Sequence, residues 1–289
     1  MGFDYVEPDS LEDAVRTLSA AGDGAFVIGG GTELMLRVRR REISPRRIVG
    51  LRRIQELERV HDLGNGVVSV GAGATLASIA RSSIARGAAP MLAEVCGQTR
   101  SPQVRTLATL GGVVCGASPV AEPPLVLLAA GATVRLIGPD GERSLALGDF
   151  VVGPFRTVIR VGEILVSIEI PPSERGSAAA YERLARRESI EAPLVACACA
   201  LALDPAGICQ WGRVVLGVST PRPIRLLEVE STLVGRRVTQ DGLEAAARAA
   251  EVVEVRDDVR ASRGYLRRMA PVVVGRALAT AAAAVRANG

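Results

Sequence analysis

The chain has 289 residues, 48% of them hydrophobic, enough to bury a sizeable core and to fold as two or three domains. Its 35 basic and 31 acidic residues leave a formal charge of only +4, the arginines are scattered, and aromatics make up 3%. This argues against a nucleic-acid binder, which concentrates basic charge and interleaves aromatic rings.

No run of about eighteen apolar residues is present to span a membrane. The N-terminus has no secretory pattern. Five cysteines without framework spacing read as reduced thiols of a cytoplasmic protein. The pattern predicts a first helix over 8–21, with Ser10 as its cap, Asp13 at the third helical position, and Leu11, Ala14, Val15 and Leu18 on one face. A short buried strand over 25–28 runs into glycines, followed by a short helix over 34–38 and a strand over 46–51.

His61, the only histidine, falls in a polar turn over 61–66. A strand follows within 66–75, with Thr75 placed to cap a helix over 76–84; more helix is expected over 91–96 and a turn over 101–105. Residues 123–129 read as a helix opened by prolines. Strands are expected over 132–137 and 163–170, with a turn at 139–141 between them. The Pro-, Gly- and Ser-rich stretch 171–177 marks the main boundary. Beyond it, strand-like segments over 181–187, 194–203 and 210–218 precede helical stretches over 241–252 and 256–288, an α+β order.

Two glycine clusters carry the functional signal. The first is Ile28-Gly29-Gly30-Gly31-Thr32-Glu33-Leu34, and the second runs from Thr109 through Gly111, Gly112, Cys115 and Gly116 to Pro119. Small residues let a backbone approach a ligand closely. Two such loops facing each other would cradle the phosphates of a dinucleotide with amide N–H groups. Taken singly, glycine-rich segments beside strands are usually only turns. Cys197 and Cys199 would share one strand face, but no second pair completes a tetrahedral metal site. A catalytic triad would rest wholly on His61.

These residues resemble a family over nearly the whole chain. Gly30-Gly31-Thr32-Glu33, the stretch from Leu107 to Gly112 followed by Ala117-Ser118-Pro119, the run from Glu163 to Pro171, and Arg183-Leu184-Ala185-Arg186-Arg187 are similar, in that order, to four motifs of the FAD-binding medium subunits of molybdenum hydroxylases. The resemblance implies an α+β fold: a two-subdomain vanillyl-alcohol-oxidase (PCMH)-type FAD domain, with subdomains over 1–60 and 61–174, then a small α+β C-terminal domain over 178–289.

It implies FAD between the subdomains. Gly30 to Glu33 and Thr109 to Gly112 would contact the pyrophosphate, Ile28, Gly29 and Leu34 would belong to the cofactor set beside them, and Cys115, Gly116 and Leu165 would lie by the ring. Glu122, where the family has Asp, would serve the ribose or adenine end, and Arg183 would complete the cofactor set. Val113 stands where the family often has Asn, Thr99 where some members stack an aromatic on the flavin, and Ser189 where some carry Asp.

The implied function is electron transfer from the [2Fe-2S] clusters of a small subunit through FAD to an acceptor, in a hetero-oligomer with a molybdenum-cofactor large subunit. Clustered cysteines for an iron–sulfur centre are absent from this sequence. A stand-alone flavoenzyme acting on a small molecule is the alternative, and a structural subunit that has lost FAD is a third reading.

Overall fold

Ser10 sits in extended backbone and its hydroxyl accepts the Asp13 N–H at 3.1 Å, so the first helix, α1, begins at the next residue and spans Leu11–Ala21. The expected start at Pro8 is therefore too early. The structure, a computed structural model, describes residues 2–187 and 191–288. β1 (Asp4–Val6), β2 (Ala25–Ile28) and β3 (Arg47–Gly50) form a parallel sheet in the order β1-β3-β2, with α2 (Leu34–Arg39) between β2 and β3. β1 is too short to show a periodic signal in the sequence. β2 is half-buried along its length, not the fully buried strand its apolar run suggested.

β4 (Val60–Asp62) pairs with β5 (Val68–Gly71), which puts His61 in a strand opposite Ser69. The turn lies beyond it, where Asp62 Oδ1 accepts the N–H groups of Gly64 and Gly66. Thr75 caps α3 (Leu76–Arg81) as expected, but Ser82 turns out of the helix and caps a new one, α4 (Ser83–Ala88). α5 (Pro90–Gln98) follows, and the expected turn at 101–105 is instead a single helical turn, α6 (Pro102–Arg105), capped by Ser101.

After α7 (Leu110–Gly116) and α8 (Pro123–Ala130) come β6 (Thr133–Gly138), β7 (Gly141–Ala146), α9 (Leu147–Phe150), the short hairpin of β8 (Val151–Gly153) and β9 (Arg156–Thr157), and β10 (Ile164–Ile170). The second sheet is antiparallel, ordered β4-β5-β10-β6-β7. Its edge strand β7 is largely polar and exposed, which hid it from an apolar-pattern reading.

The chain forms two compact units. The first comprises Met1–Gly97, Ser101–Ala117 and Ala132–Ile170. Ala14 and Leu18 of α1 meet Val49, Leu51, Ile54, Leu57, Ile164 and Val166 in one core, so both sheets share an interior. Each fully buried Leu or Ile there contributes about 1.5–3 kcal/mol.

The second unit comprises Gln98–Arg100, Ser118–Gly131 and Pro171–Gly289. The stretch carrying α8 thus belongs to it, although the sequence placed that stretch within the 61–174 subdomain. Its sheet is antiparallel, ordered β11 (Ser177–Leu184), β12 (Val195–Leu203), β13 (Cys209–Gly217) and β14 (Ile224–Arg225). β12 is buried at every position, since α8 covers one face of the sheet and helices cover the other. Those helices are α10 (Leu227–Leu233), absent from the sequence reading, and α12 (Arg263–Asn288), with α11 (Gln240–Arg248) packed on both.

α12 starts seven residues later than expected, because Arg256 and Arg260 are drawn onto the Asp258 carboxylate in a turn. It is long and apolar enough to cross a membrane by length and composition. However, Leu266, Ala270, Val273, Val274, Ala277, Leu278, Ala281, Ala282 and Val285 all lie in the core with Cys197 and Cys199. All five cysteines are free thiols.

Candidate functional site

β2 ends where the Ile28 carbonyl accepts the Leu51 N–H at 3.1 Å. The chain then turns through residues 29–33 into α2, with Gly31 in the left-handed region at φ +72°. Among the described residues, no protein acceptor takes the N–H of Gly29, Gly30, Gly31, Thr32 or Glu33. The carbonyls of Gly31 and Glu33, by contrast, are used by Met35 and Arg37 at 3.1 Å. A half-exposed turn with a run of unspent donors is suited to an anion.

The second cluster is built differently. Residues 108–110 pair with 74–76 like a short strand: Leu76 N–H donates to Ala108 O and Leu110 N–H to Ala74 O, both at 2.9 Å. Thr109 then caps α7, its hydroxyl accepting the Gly112 N–H at 3.2 Å. Gly111 N–H donates to Ala72 O, and Val113 N–H to Thr109 O. So the expected glycine loop is a helix start, and its amides are spent within the protein rather than held ready for phosphate.

Gly111 is buried, and a Cβ there would come within 2.6 Å of Ala72 Cβ and 2.7 Å of Ala72 O. A bulky residue at 111 would unseat α7; the sequence had assigned that glycine to phosphate approach. Gly112 is exposed, and the nearest atom to a Cβ there is its own cap, Thr109 Oγ1, at 2.9 Å.

The two clusters face each other, as the sequence suggested. A Cβ at Gly29 would lie 2.6 Å from Thr109 Oγ1, and one at Gly30 only 1.7 Å from Leu107 O. Gly29 and Gly30 are small because the first turn lies directly on residues 107–109. Farther along, a Cβ at Gly116 would come 3.9 Å from Glu33 Cγ. Ile28 and Met35 close around Gly31, and Leu34 opens α2. The free amides of residues 29–33 are donors of the kind a diphosphate accepts from. Cys115 is partly exposed on α7, which packs against β10. Leu165 of β10 is 3% exposed, so its side chain belongs to the core.

Glu122 and Arg183 belong to the second unit, and there they meet each other. Glu122 is 2% exposed. Its Oε1 accepts Thr99 Oγ1 at 3.3 Å, and its Oε2 accepts Tyr181 OH at 2.6 Å and Arg183 Nη1 at 3.2 Å. Pro123 and Pro124 occupy the first helical positions of α8 and bring no N–H groups, so the carboxylate has no capping role and turns inward.

Burial first, then the Glu122 charge, holds the Tyr181 phenol well above its ordinary value and keeps it a donor. Both oxygens of Glu122, which the resemblance set at the ribose or adenine end, accept hydrogen bonds from within the protein. Thr99, expected at the flavin, is buried and hydrogen-bonded to Glu122. Tyr181 was missed, although Tyr181 and Arg183 stand two apart on a strand and so share a face. Ser189 lies outside the described residues.

Residues 1–173 match the family described as FAD binding domain in molybdopterin dehydrogenase, and residues 179–281 the CO dehydrogenase flavoprotein C-terminal domain. The chain is similar to the carbon monoxide dehydrogenase medium chain of Hydrogenophaga pseudoflava, 31% identical over 278 residues and covering 96% of both chains. It is equally similar to the 6-hydroxypseudooxynicotine dehydrogenase complex subunit alpha of Paenarthrobacter nicotinovorans, 31% identical over 280 residues, 96% of this chain and 94% of that one. Among solved structures, a carbon monoxide dehydrogenase from Hydrogenophaga pseudoflava that lacks the Mo-pyranopterin moiety of its cofactor matches with a TM-score of 0.93 and 30% identity, covering 99% of this chain and 98% of that one.

Proposed function

The chain belongs to the FAD-binding medium subunits of the molybdenum hydroxylases, and we propose that residues 29–33 hold the diphosphate of its FAD. The protein is an FAD-dependent oxidoreductase subunit, working between the [2Fe-2S] clusters of a small subunit and an external acceptor. Substrate hydroxylation belongs to a large molybdenum-cofactor subunit of the same hetero-oligomer. When bound, FAD would supply the redox chemistry, since a flavin exchanges electrons one or two at a time.

The observation that carries the site assignment is the run of unspent amides at residues 29–33, in a turn seated on residues 107–109. The amides bind and orient the diphosphate. Gly29 and Gly30 let that turn seat on residues 107–109. Thr109 fixes the start of α7 and leaves Gly112 open beside the ligand. Ile28 and Leu34 flank the turn, and Gly116 lies beside Glu33. No residue of this chain is assigned a proton transfer on substrate. We place the protein in the cytoplasm, with its cysteines as reduced thiols.

Purification of the chain from its own host tests the assignment. A yellow complex containing molybdenum and iron, with the [2Fe-2S] signal and FAD in equal proportion to this chain, is expected. A yellow chain that purifies alone and oxidises a small molecule by itself would overturn the subunit reading.

A further inference from the structure

The second unit is assembled from three chain segments, and the buried cluster at Glu122 takes donors or acceptor from all three. Thr99 comes from Gln98–Arg100, Glu122 from Ser118–Gly131, and Tyr181 and Arg183 from Pro171–Gly289. Between the first two segments the chain makes an excursion, Ser101–Ala117, that belongs to the first unit and carries the second glycine cluster. Both exits of that excursion are in a backbone region that side chains disfavour: Arg100 at φ 61° and Ala117 at φ 43°. Such conformations persist where the surroundings over-determine them. Thr99 stands next to the first, and Glu122 lies five residues beyond the second.

The rest of the second segment is also fixed. Leu125 of α8 fills the space over Gly217, where a Cβ would come within 2.8 Å of its side chain. The Leu125 N–H donates to Glu122 O at 3.0 Å. The Glu122 side chain is 2% exposed, and Thr99, Tyr181 and Arg183 engage both of its oxygens.

We propose that Glu122 is a positioning residue: by joining Thr99, Tyr181 and Arg183 in one buried cluster, it clamps both ends of the 101–117 excursion and thereby sets how firmly the second glycine cluster supports FAD. The C-terminal unit thus contributes to cofactor retention through hydrogen bonds remote from the glycine turns. This rests on the FAD reading above.

The test uses the full-length chain, stripped of flavin, with Tyr181→Phe, Thr99→Val and Glu122→Gln. The first two remove one donor each with little change of shape. FAD affinity is read by flavin fluorescence, the ring environment by visible circular dichroism of bound flavin, and the excursion by amide hydrogen exchange at residues 110–113. Each single donor loss is expected to weaken FAD binding by about tenfold, the change equivalent to about 1.4 kcal/mol.

The Tyr181→Phe and Thr99→Val effects should combine to less than their product, because both act through one carboxylate. Exchange should quicken at 110–113 and not in β4 and β5, and the bound-flavin spectrum should be unchanged. Unchanged affinity in the Tyr181→Phe and Thr99→Val proteins, while the wild-type chain binds FAD, would overturn the clamp. An altered flavin spectrum in Glu122→Gln, with Tyr181→Phe silent, would make Glu122 a direct contact and also overturn it. If the wild-type chain takes up no FAD, the cofactor reading fails on its own account; the exchange rates at 110–113 then decide the clamp alone, faster supporting it and unchanged refuting it.

Discussion

Gly30→Ala gives the most direct reading of how the two glycine clusters interlock. The added Cβ would fall 1.7 Å from Leu107 O, 2.4 Å from Leu107 C and 3.0 Å from Ala108 N, all backbone atoms. A flexible side chain would swing away from such a contact, but this backbone is held. Leu107 N–H and Ala108 N–H both donate to Val104 O, and Ala108 O accepts Leu76 N–H. Overpacking a core by a methyl group typically costs 1–3 kcal/mol where neighbours can give. Here the rigid neighbour places the cost at the upper end, about 3 kcal/mol, or a fall in melting temperature of roughly 6–12 °C for a chain of this size. Gly112→Ala is the matched control. Gly112 is exposed, lies in the first turn of α7, and meets only the Thr109 hydroxyl. Its stability should stay within about 1 kcal/mol of wild type, since helix propensity favours alanine, while FAD affinity falls. The assay is calorimetry of the flavin-free chain followed by flavin titration. If Gly30→Ala melts like wild type, the turn does not rest on residues 107–109 and the interlock is wrong.

Two further outcomes follow from local geometry. Thr109→Val removes the cap of α7 and should cost about 1 kcal/mol, seen as a lower melting temperature of the flavin-free chain; an unchanged melt would show that the cap is idle. Glu163 accepts two hydrogen bonds from Arg143, at 2.6 and 2.8 Å, and one from the Arg160 N–H at 2.7 Å. The Arg143 hydrogen bonds hold its carboxyl below the ordinary carboxylate value, against the opposing effect of burial. A depressed folded pKa gives stability that is full above the unfolded value, about 4.3 for Glu, and is lost as pH falls through the folded one. Melting curves between about pH 3 and 6 should therefore slope less on the acid side in Glu163→Gln than in wild type; parallel slopes would refute the linkage.

Much of this architecture was legible because it depends on local chemistry. Ser10 and Thr75 announced their helices through capping, and Pro123 and Pro124 announced α8. The apolar runs of β10 and β12 are the central strands of their sheets. What was hidden depends on distant partners. β7 is an exposed polar strand whose pairing with β6 supplies its order. Ser82 splits a helix because it caps a new one, and the Asp258 ion pairs shorten α12.

The glycine clusters were visible as such, but not their division of labour. Nothing in Thr109-Leu110-Gly111-Gly112 reveals that Ala72 and Ala74 consume its amides. Glu122 was legible as a special carboxylate. Its engagement by Thr99, Tyr181 and Arg183, up to 61 residues away, needed the fold.

The central claim is that the backbone amides of residues 29–33 take the diphosphate. Amide chemical shifts of the full-length, flavin-free chain, followed during titration with FAD, test it most directly. The account predicts saturation at one FAD per chain, with the largest downfield shifts at Gly29, Gly30, Gly31, Thr32 and Glu33 and small ones at Leu110 and Gly111, whose N–H groups are already engaged. Saturation with those five signals unmoved, or with Leu110 and Gly111 moving most, would contradict it.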